Sequence, residues 1–353
     1  MTSAPARTRG GAGGRAAALA SACLILLVVL GLGASWGSVA IPLRAVARII
    51  ADELTGHASR TIDPAWVTIV VDLRLPRVIL GMIVGAVLAV VGAVFQALFR
   101  NPLADPYLVG VSSGASFGAS VAILFLWRFS LGTIGAVPLL AFAFAVGVVF
   151  LAYGVSRIGG QASVTLLILA GVALGSLFSS GTTLLMLTAP DAFRAMQVFA
   201  WIMGSLSGAQ WGSIVAVLPF ALLGLVVMGA SSYKLNLLQL GDDEAALLGT
   251  RVERLRLVLM GSASLATAAV VSVSGIIGFV GLVVPHIVRL LWGPDHRFLV
   301  PMSAILGSIL VILADGLART LIAPREIPLG VVTACLGVPF FLILLRRQRR
   351  QIL

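Results

Sequence analysis

The sequence predicts an all-α polytopic membrane protein with about ten transmembrane helices and both termini in the cytoplasm. Three observations predict this class. Of 353 residues, 59% are hydrophobic and 10% charged, with a mean hydropathy of +1.11, whereas soluble domains run to about 45–50% apolar, glycine included, and about 25% charged. The apolar residues also fall into blocks of spanning length. Basic residues, finally, are divided unequally between the two sides that these blocks define. A soluble fold of this size would lack the polar side chains to cover itself, and disorder requires low hydrophobicity with high charge. The 24 basic residues against 13 acidic give +11, which in a soluble chain would suggest nucleic acid. Here the basic residues separate apolar blocks, so topology explains them and no nucleic-acid partner is expected.

A bilayer crossing takes about 20 mostly apolar residues. The spans fall near residues 16–35, 77–98, 108–127, 136–155, 163–187, 211–230, 256–274, 276–292, 301–318 and 328–345. Arg7, Arg9 and Arg15 ahead of the first resemble a signal peptide, and Ala20-Ser21-Ala22-Cys23 a lipoprotein cleavage box. The apolar run continues well past Cys23 without a clean cleavage site, so the first span is read as uncleaved. One transmembrane domain thus covers 1–353, with a cytoplasmic tail at 1–15, an extracytoplasmic loop at 36–75 and a cytoplasmic segment at 231–255. Cys23 and Cys335 lie in apolar runs without metal-ligand spacing and read as small packing residues.

Ten spans put both ends on one side. That side collects 15 basic residues: Arg7, Arg9, Arg15, Arg100, Arg157, Lys234, Arg251, Arg254, Arg256, Arg289, Arg297, Arg346, Arg347, Arg349 and Arg350. The other collects nine: Arg44, Arg48, Arg60, Arg74, Arg77, Arg128, Arg194, Arg319 and Arg325. The excess marks the first side as cytoplasmic. Nine arginines outside are more than topology favours and need a reason.

Four polar segments are too patterned for plain connectors. In Val71-Asp72-Leu73-Arg74-Leu75-Pro76-Arg77, proline suits a first helical turn because its missing N–H would be unpaired there, and the arginines could snorkel to the interface. Gln96 to Pro106 ends the second span with two prolines, and Gly110-Val111-Ser112-Ser113-Gly114-Ala115 begins the third with small residues that favour close helix packing. In Leu240-Gly241-Asp242-Asp243-Glu244-Ala245-Ala246-Leu247-Leu248-Gly249, Asp242 or Asp243 suits an N-cap and Gly249 a C-cap, predicting a two-turn helix. In Gly275 to Arg289, glycines at 275, 278 and 281 predict one smooth helix face. His286 there reads as a structural hydrogen-bonding group, with a proton relay as the rival reading.

The missing motifs discriminate too. No G-x-x-x-x-G-K-[ST] occurs, so the chain has no ATPase site of that kind, and no Cys/His cluster suggests a metal. Only Asp315 among the acidic residues falls within a span, one helical turn before Arg319, where the two can pair.

Four stretches carry a family resemblance: Leu73-Arg74-Leu75-Pro76-Arg77, Asn101-Pro102-Leu103-Ala104-Asp105-Pro106, Gly278 to His286 and Glu326-Ile327-Pro328-Leu329-Gly330. In these the chain resembles the FecCD-type permease subunits of ABC importers for iron–siderophore complexes, haem and cobalamin. The resemblance runs from about Leu73 to the C-terminus. It implies the type II ABC importer permease fold in a bacterial inner membrane, and pairing with a second permease subunit, a homodimer copy or a paralogue. It further implies two cytoplasmic ATP-binding-cassette ATPase subunits, an extracytoplasmic substrate-binding protein and no cofactor. It assigns binding-protein docking to Arg74, Arg77 and Arg319. It assigns ATPase coupling to Gly241, Asp242, Asp243, Glu244, Ala245, Leu247, Leu248 and Gly249. The translocation path falls to the fifth and tenth spans, with Gly175, Ser176, Ser179, Ser180 and Thr183 as a polar, small wall. Two rival functions fit less well. An ion-coupled secondary transporter would carry midplane carboxylates, and an intramembrane enzyme would need a nucleophile–base pair or metal within the bilayer.

Overall fold

The computed structural model describes residues 12–349 except 38, 57–61, 127–128, 132–133 and 158–163. Among the basic residues used for topology, Arg7, Arg9, Arg60, Arg128 and Arg350 lie outside the described residues, as does most of the tail at 1–15. The helices in order are α1 (Ala12–Ser35), α2 (Leu43–Thr55), α3 (Pro64–Thr68), a π-helical stretch (Ile69–Arg74) and α4 (Leu75–Leu98). After α5 (Val111–Phe125) a two-residue antiparallel ladder pairs Ser130 with Gly135 and Leu131 with Ile134. There follow α6 (Ala136–Ser156), α7 (Val164–Leu187), α8 (Ala192–Ile202), α9 (Trp211–Ala230), α10 (Ser232–Leu238) and α11 (Asp242–Leu247). The last four are α12 (Val252–Ser274), α13 (Val280–Trp292), α14 (His296–Thr320) and α15 (Leu329–Arg349).

Each predicted span coincides with one helix: α1, α4, α5, α6, α7, α9, α12, α13, α14 and α15. Among the described residues, seven helical runs are long and apolar enough to cross a membrane, while α5, α13 and the apolar part of α15 are shorter. The longest run joins α3, the π stretch and α4 over Pro64–Leu98.

The hub is α4, buried along nearly its whole length and packed against α1, α9, α12, α13 and α14. Its glycines explain how so many helices reach it, since small residues let backbones approach. A Cβ added at Gly85 would lie 2.2 Å from the Gly307 carbonyl oxygen of α14, and one at Gly92 would lie 1.9 Å from the Gly281 oxygen of α13. Gly92→Ala is therefore expected to destabilise the fold by the ~1–3 kcal/mol of an overpacked core, against a gain of about 1 kcal/mol in helix propensity. A detergent-solubilised thermal melt checks it; an unchanged or raised midpoint would show that α4 and α13 part at no cost.

The structure corrects four sequence expectations. Residues 275–279 are not helical, so the three glycines do not form one face; only Gly281 lies in a helix. Gly275 ends α12 with φ +66°, and a Cβ there would lie 2.2 Å from the Trp201 carbonyl oxygen. Phe279 begins α13 with φ +67°, an uncommon conformation for a bulky residue. Residues 36–75 contain an amphipathic helix, α2, whose Val46 and Ile49 face inward. Cys23 and Cys335 are both exposed, because α1 and α15 pack through one side only. His286 is buried with its Nδ1 unpartnered and its ring edge-on to Phe340, so no hydrogen bond at that nitrogen supports the expected structural role.

Candidate functional site

Three regions carry the sequence-predicted residues. At the end of the bundle where α4 begins, Arg74, Arg77 and Arg319 converge as the sequence suggested, but not as free groups. Arg77 Nη2 lies 2.8 Å from Asp315 Oδ1 and Nη1 lies 2.9 Å from Glu326 Oε1. Arg319 Nε lies 3.1 Å from Asp315 Oδ2, and its Nη1 donates to the Trp36 carbonyl at 3.1 Å. Arg74 is 6% exposed; it donates to the carbonyls of Ala34 and Ser35, at 3.1 and 2.7 Å, and to that of Val39. The first two of these carbonyls end α1, where four C=O groups lack intrahelical partners, and Val39 follows beyond it. The expected Asp315–Arg319 pair is present, while its link to Arg77 and Glu326 was not foreseen. This corrects the picture of three arginines presented outward. Buried charges must be paired, and here the chain itself supplies the partners. Exposed arginines at this end, among the described residues, include Arg44 and Arg48 on α2 and Arg325 beyond α14.

At the opposite end stands α11. Gly241 caps its start without any side-chain cap bond, so neither Asp242 nor Asp243 is the N-cap. Asp242 instead bridges Arg100, whose Nε also donates to the Leu238 carbonyl at 3.1 Å, and Arg256, at 2.9 Å. One carboxylate thereby ties α11 to the end of α4 and to α12, a clamp that local sequence does not display. The other terminus follows expectation. Thr250 N–H donates to the Ala245 carbonyl at 3.0 Å and Gly249 N–H to the Ala246 carbonyl at 2.9 Å, with Gly249 at φ +80°. That is a Schellman motif, in which a left-handed residue satisfies the last carbonyls. Ala245 is fully buried, whereas Leu247 is 87% and Leu248 59% exposed. A clamped short helix thus holds two apolar side chains out in solvent. Nearby, burial opposes ionisation of Asp295, but bonds from Asn236, the Arg297 amide and Arg15 outweigh it and hold the carboxyl below its usual range.

The third region is α7, which packs on α5, α6 and α8. Ser176, Ser179, Ser180 and Thr183 are exposed and Gly175 is half-buried. Thr183 returns its hydroxyl to the Ser179 carbonyl at 3.1 Å, which masks part of the polarity along the helix. Gly175 and Ser179 line a groove of about 320 Å³ shared with Asp105, Tyr107 and Ser112. The Tyr107 hydroxyl donates to the Ile277 carbonyl at 3.0 Å and accepts from the Ile277 N–H at 3.2 Å. Burial raises the Asp105 carboxyl to about 6. A folded value above the unfolded one means that protonation favours the folded state, so this contribution is complete below about pH 4 and lost as pH rises through about 6. Asp105→Asn is expected to flatten the fall in thermal midpoint between about pH 4 and 6; a variant with the parent's pH slope would contradict it. Among the described residues no group of His, Cys, Asp and Glu could hold a metal.

Comparison with known proteins adds to this geometry. The model of the FecCD transport family matches residues 23–347. An uncharacterised ABC transporter permease protein of Bacillus subtilis is 42% identical over 328 residues, covering 92% of each chain. The hemin transport system permease protein of Yersinia pestis is 41% identical over 340 residues, covering 93% of this chain and 95% of its own. A solved structure described as an inward-facing conformation of a metal-chelate type ABC transporter superposes with TM-score 0.82 at 31% identity, covering 94% of this chain and 99% of the other.

Proposed function

The chain belongs to the FecCD transport family, and on that premise we propose that it forms half of the membrane path of a binding-protein-dependent ABC importer. It is a multi-pass membrane protein with the type II importer permease fold, a transporter subunit and not an enzyme. Two copies, or one copy and a close paralogue, enclose the path between their α7 and α15 helices. Both termini and α11 face the cytoplasm, where two separate ATPase subunits bind. The binding protein docks at the other end, over the arginine cluster. That cluster carries one net positive charge, three guanidinium groups against Asp315 and Glu326, and shapes the docking face by fixing α1, α4 and α14. The cargo is a bulky metal complex: a ferric siderophore, haem or cobalamin. The name of the Yersinia relative and the metal-chelate description of the solved one support that class.

The observation that carries this reading is the exposed Leu247-Leu248 pair on a helix clamped to α4 and α12. Binding energy at a separate ATPase reaches the spans only through an element with fixed connections to them. Reconstitution tests the whole scheme: the chain in liposomes takes up cargo only with ATP, ATPase subunits and binding protein all present. Uptake by the chain alone under a proton or sodium gradient would favour the secondary-transporter reading instead.

The path has its own test. Cysteines at Ser179 and Ser180 are expected to react with small polar thiol reagents, at rates that change when ATP binds the assembled complex. A cysteine at Leu184, assigned to lipid, should react poorly in both states. Equal labelling of all three would remove α7 from the path.

A further inference from the structure

A groove of about 510 Å³ opens between α9, α10 and α14, with Val90 of α4 on its floor. Leu225, Val300, Pro301 and Ala304 make its walls apolar. Gly229 lines it as well, and a Cβ added there would meet nothing within 4 Å. The rim is different in kind. The Arg297 guanidinium sits 4.7 Å from the centroid of the Tyr233 ring, and both side chains are exposed, as is neighbouring Lys234. Asp295, the nearest acid in sequence, is engaged by Arg15 at 3.0 Å and Asn236 at 2.8 Å, and its contact with Arg297 is to the backbone amide. Among the described residues, Arg297 has no carboxylate partner for its side chain. A guanidinium held over an aromatic face, above an apolar slot, fits an amphiphile with an anionic head.

We propose that this groove is a specific site for an anionic phospholipid, one acyl chain in the slot and the phosphate on Arg297 and Tyr233. The charge selects an acidic head over a zwitterionic one, basic pockets between spans being suited to anionic headgroups. The slot selects a lipid over a free phosphate. A second copy of the chain is the competing occupant.

Native mass spectrometry of the purified full chain in neutral detergent tests this with phosphatidylglycerol and phosphatidylcholine of matched chains. Phosphatidylglycerol is expected to bind about fivefold more tightly, the ratio that corresponds to one basic residue at a lipid surface. Arg297→Gln should abolish the preference while binding persists. Gly229→Leu, which fills the slot without touching the charge, should weaken both lipids. Retention of either by the Gly229→Leu chain as strongly as by the parent would overturn the site. So would competition by glycerol phosphate, which has the head without the chains, at the lipid's own concentration. Equal binding of the two lipids by the parent means nonspecific annular lipid and also overturns it. Disulfide cross-linking between copies through Gly229→Cys would give the groove to the second subunit.

Discussion

Asp315→Ala is expected to destabilise the folded chain by about 3–5 kcal/mol, the range measured when one partner of a buried ion pair is removed. Asp315 is 3% exposed and accepts from two guanidinium groups at once. Its loss leaves Arg319 paired only with backbone carbonyls and Arg77 only with Glu326. Glu326, whose side chain is 40% exposed, is the internal comparison: Glu326→Gln should cost less, because water reaches the vacated site. Thermal midpoints of the two variants in one detergent decide the matter. Asp315→Ala melting with the parent, or below it by no more than Glu326→Gln, would show that the network contributes little. A double variant with Arg77→Leu should cost less than the two single changes added together, as for any pair in contact.

The second large effect concerns coupling. Leu247→Asp with Leu248→Asp is expected to abolish ATP-driven transport while leaving the chain folded, since both side chains are largely exposed. The loss arises on assembly, where burying a carboxylate in an apolar groove costs several kcal/mol. The ATPase either dissociates or hydrolyses ATP without moving cargo, and vesicle uptake with parallel phosphate release distinguishes the two. Normal transport by the double variant with the ATPase bound would remove α11 from the coupling role.

Local structure in this chain is legible in its sequence, and contacts between distant segments are not. The long apolar helices were legible because a bilayer imposes a length and a polarity on each. The C-terminus of α11 was legible because Gly249 must adopt a left-handed backbone there. The break at 275–279 was hidden, because Ile276, Ile277 and Phe279 are as apolar as any helix, and what permits an unwound strand is a hydroxyl from Tyr107, 170 residues away. The arginine cluster was legible as a set, but most of its partners were not. Arg77 meets Asp315 across 238 residues and Glu326 across 249, and no periodicity reports such a meeting. A buried acid with two arginines nearby was the available hint, and only the nearer arginine was paired with it. The amphipathic α2 was not legible as a span because its 13 residues are too short to cross a bilayer.

The unwound strand also bears on the order of assembly. Several distant segments close around it: Ser205 N–H donates to the Ser274 carbonyl at 2.8 Å, Leu329 N–H to the Gly204 carbonyl at 2.9 Å, and Gly330 N–H to the Met203 carbonyl at 3.0 Å. Backbone N–H and C=O groups buried in a protein must find partners there. Synthesis delivers helices from the N-terminus at roughly 5–20 residues per second, so the carbonyls of Met203 and Gly204 wait for α15 to emerge. Until α15 arrives, the nascent bundle carries an open seam just past the end of α8, and α15 is the piece that closes it.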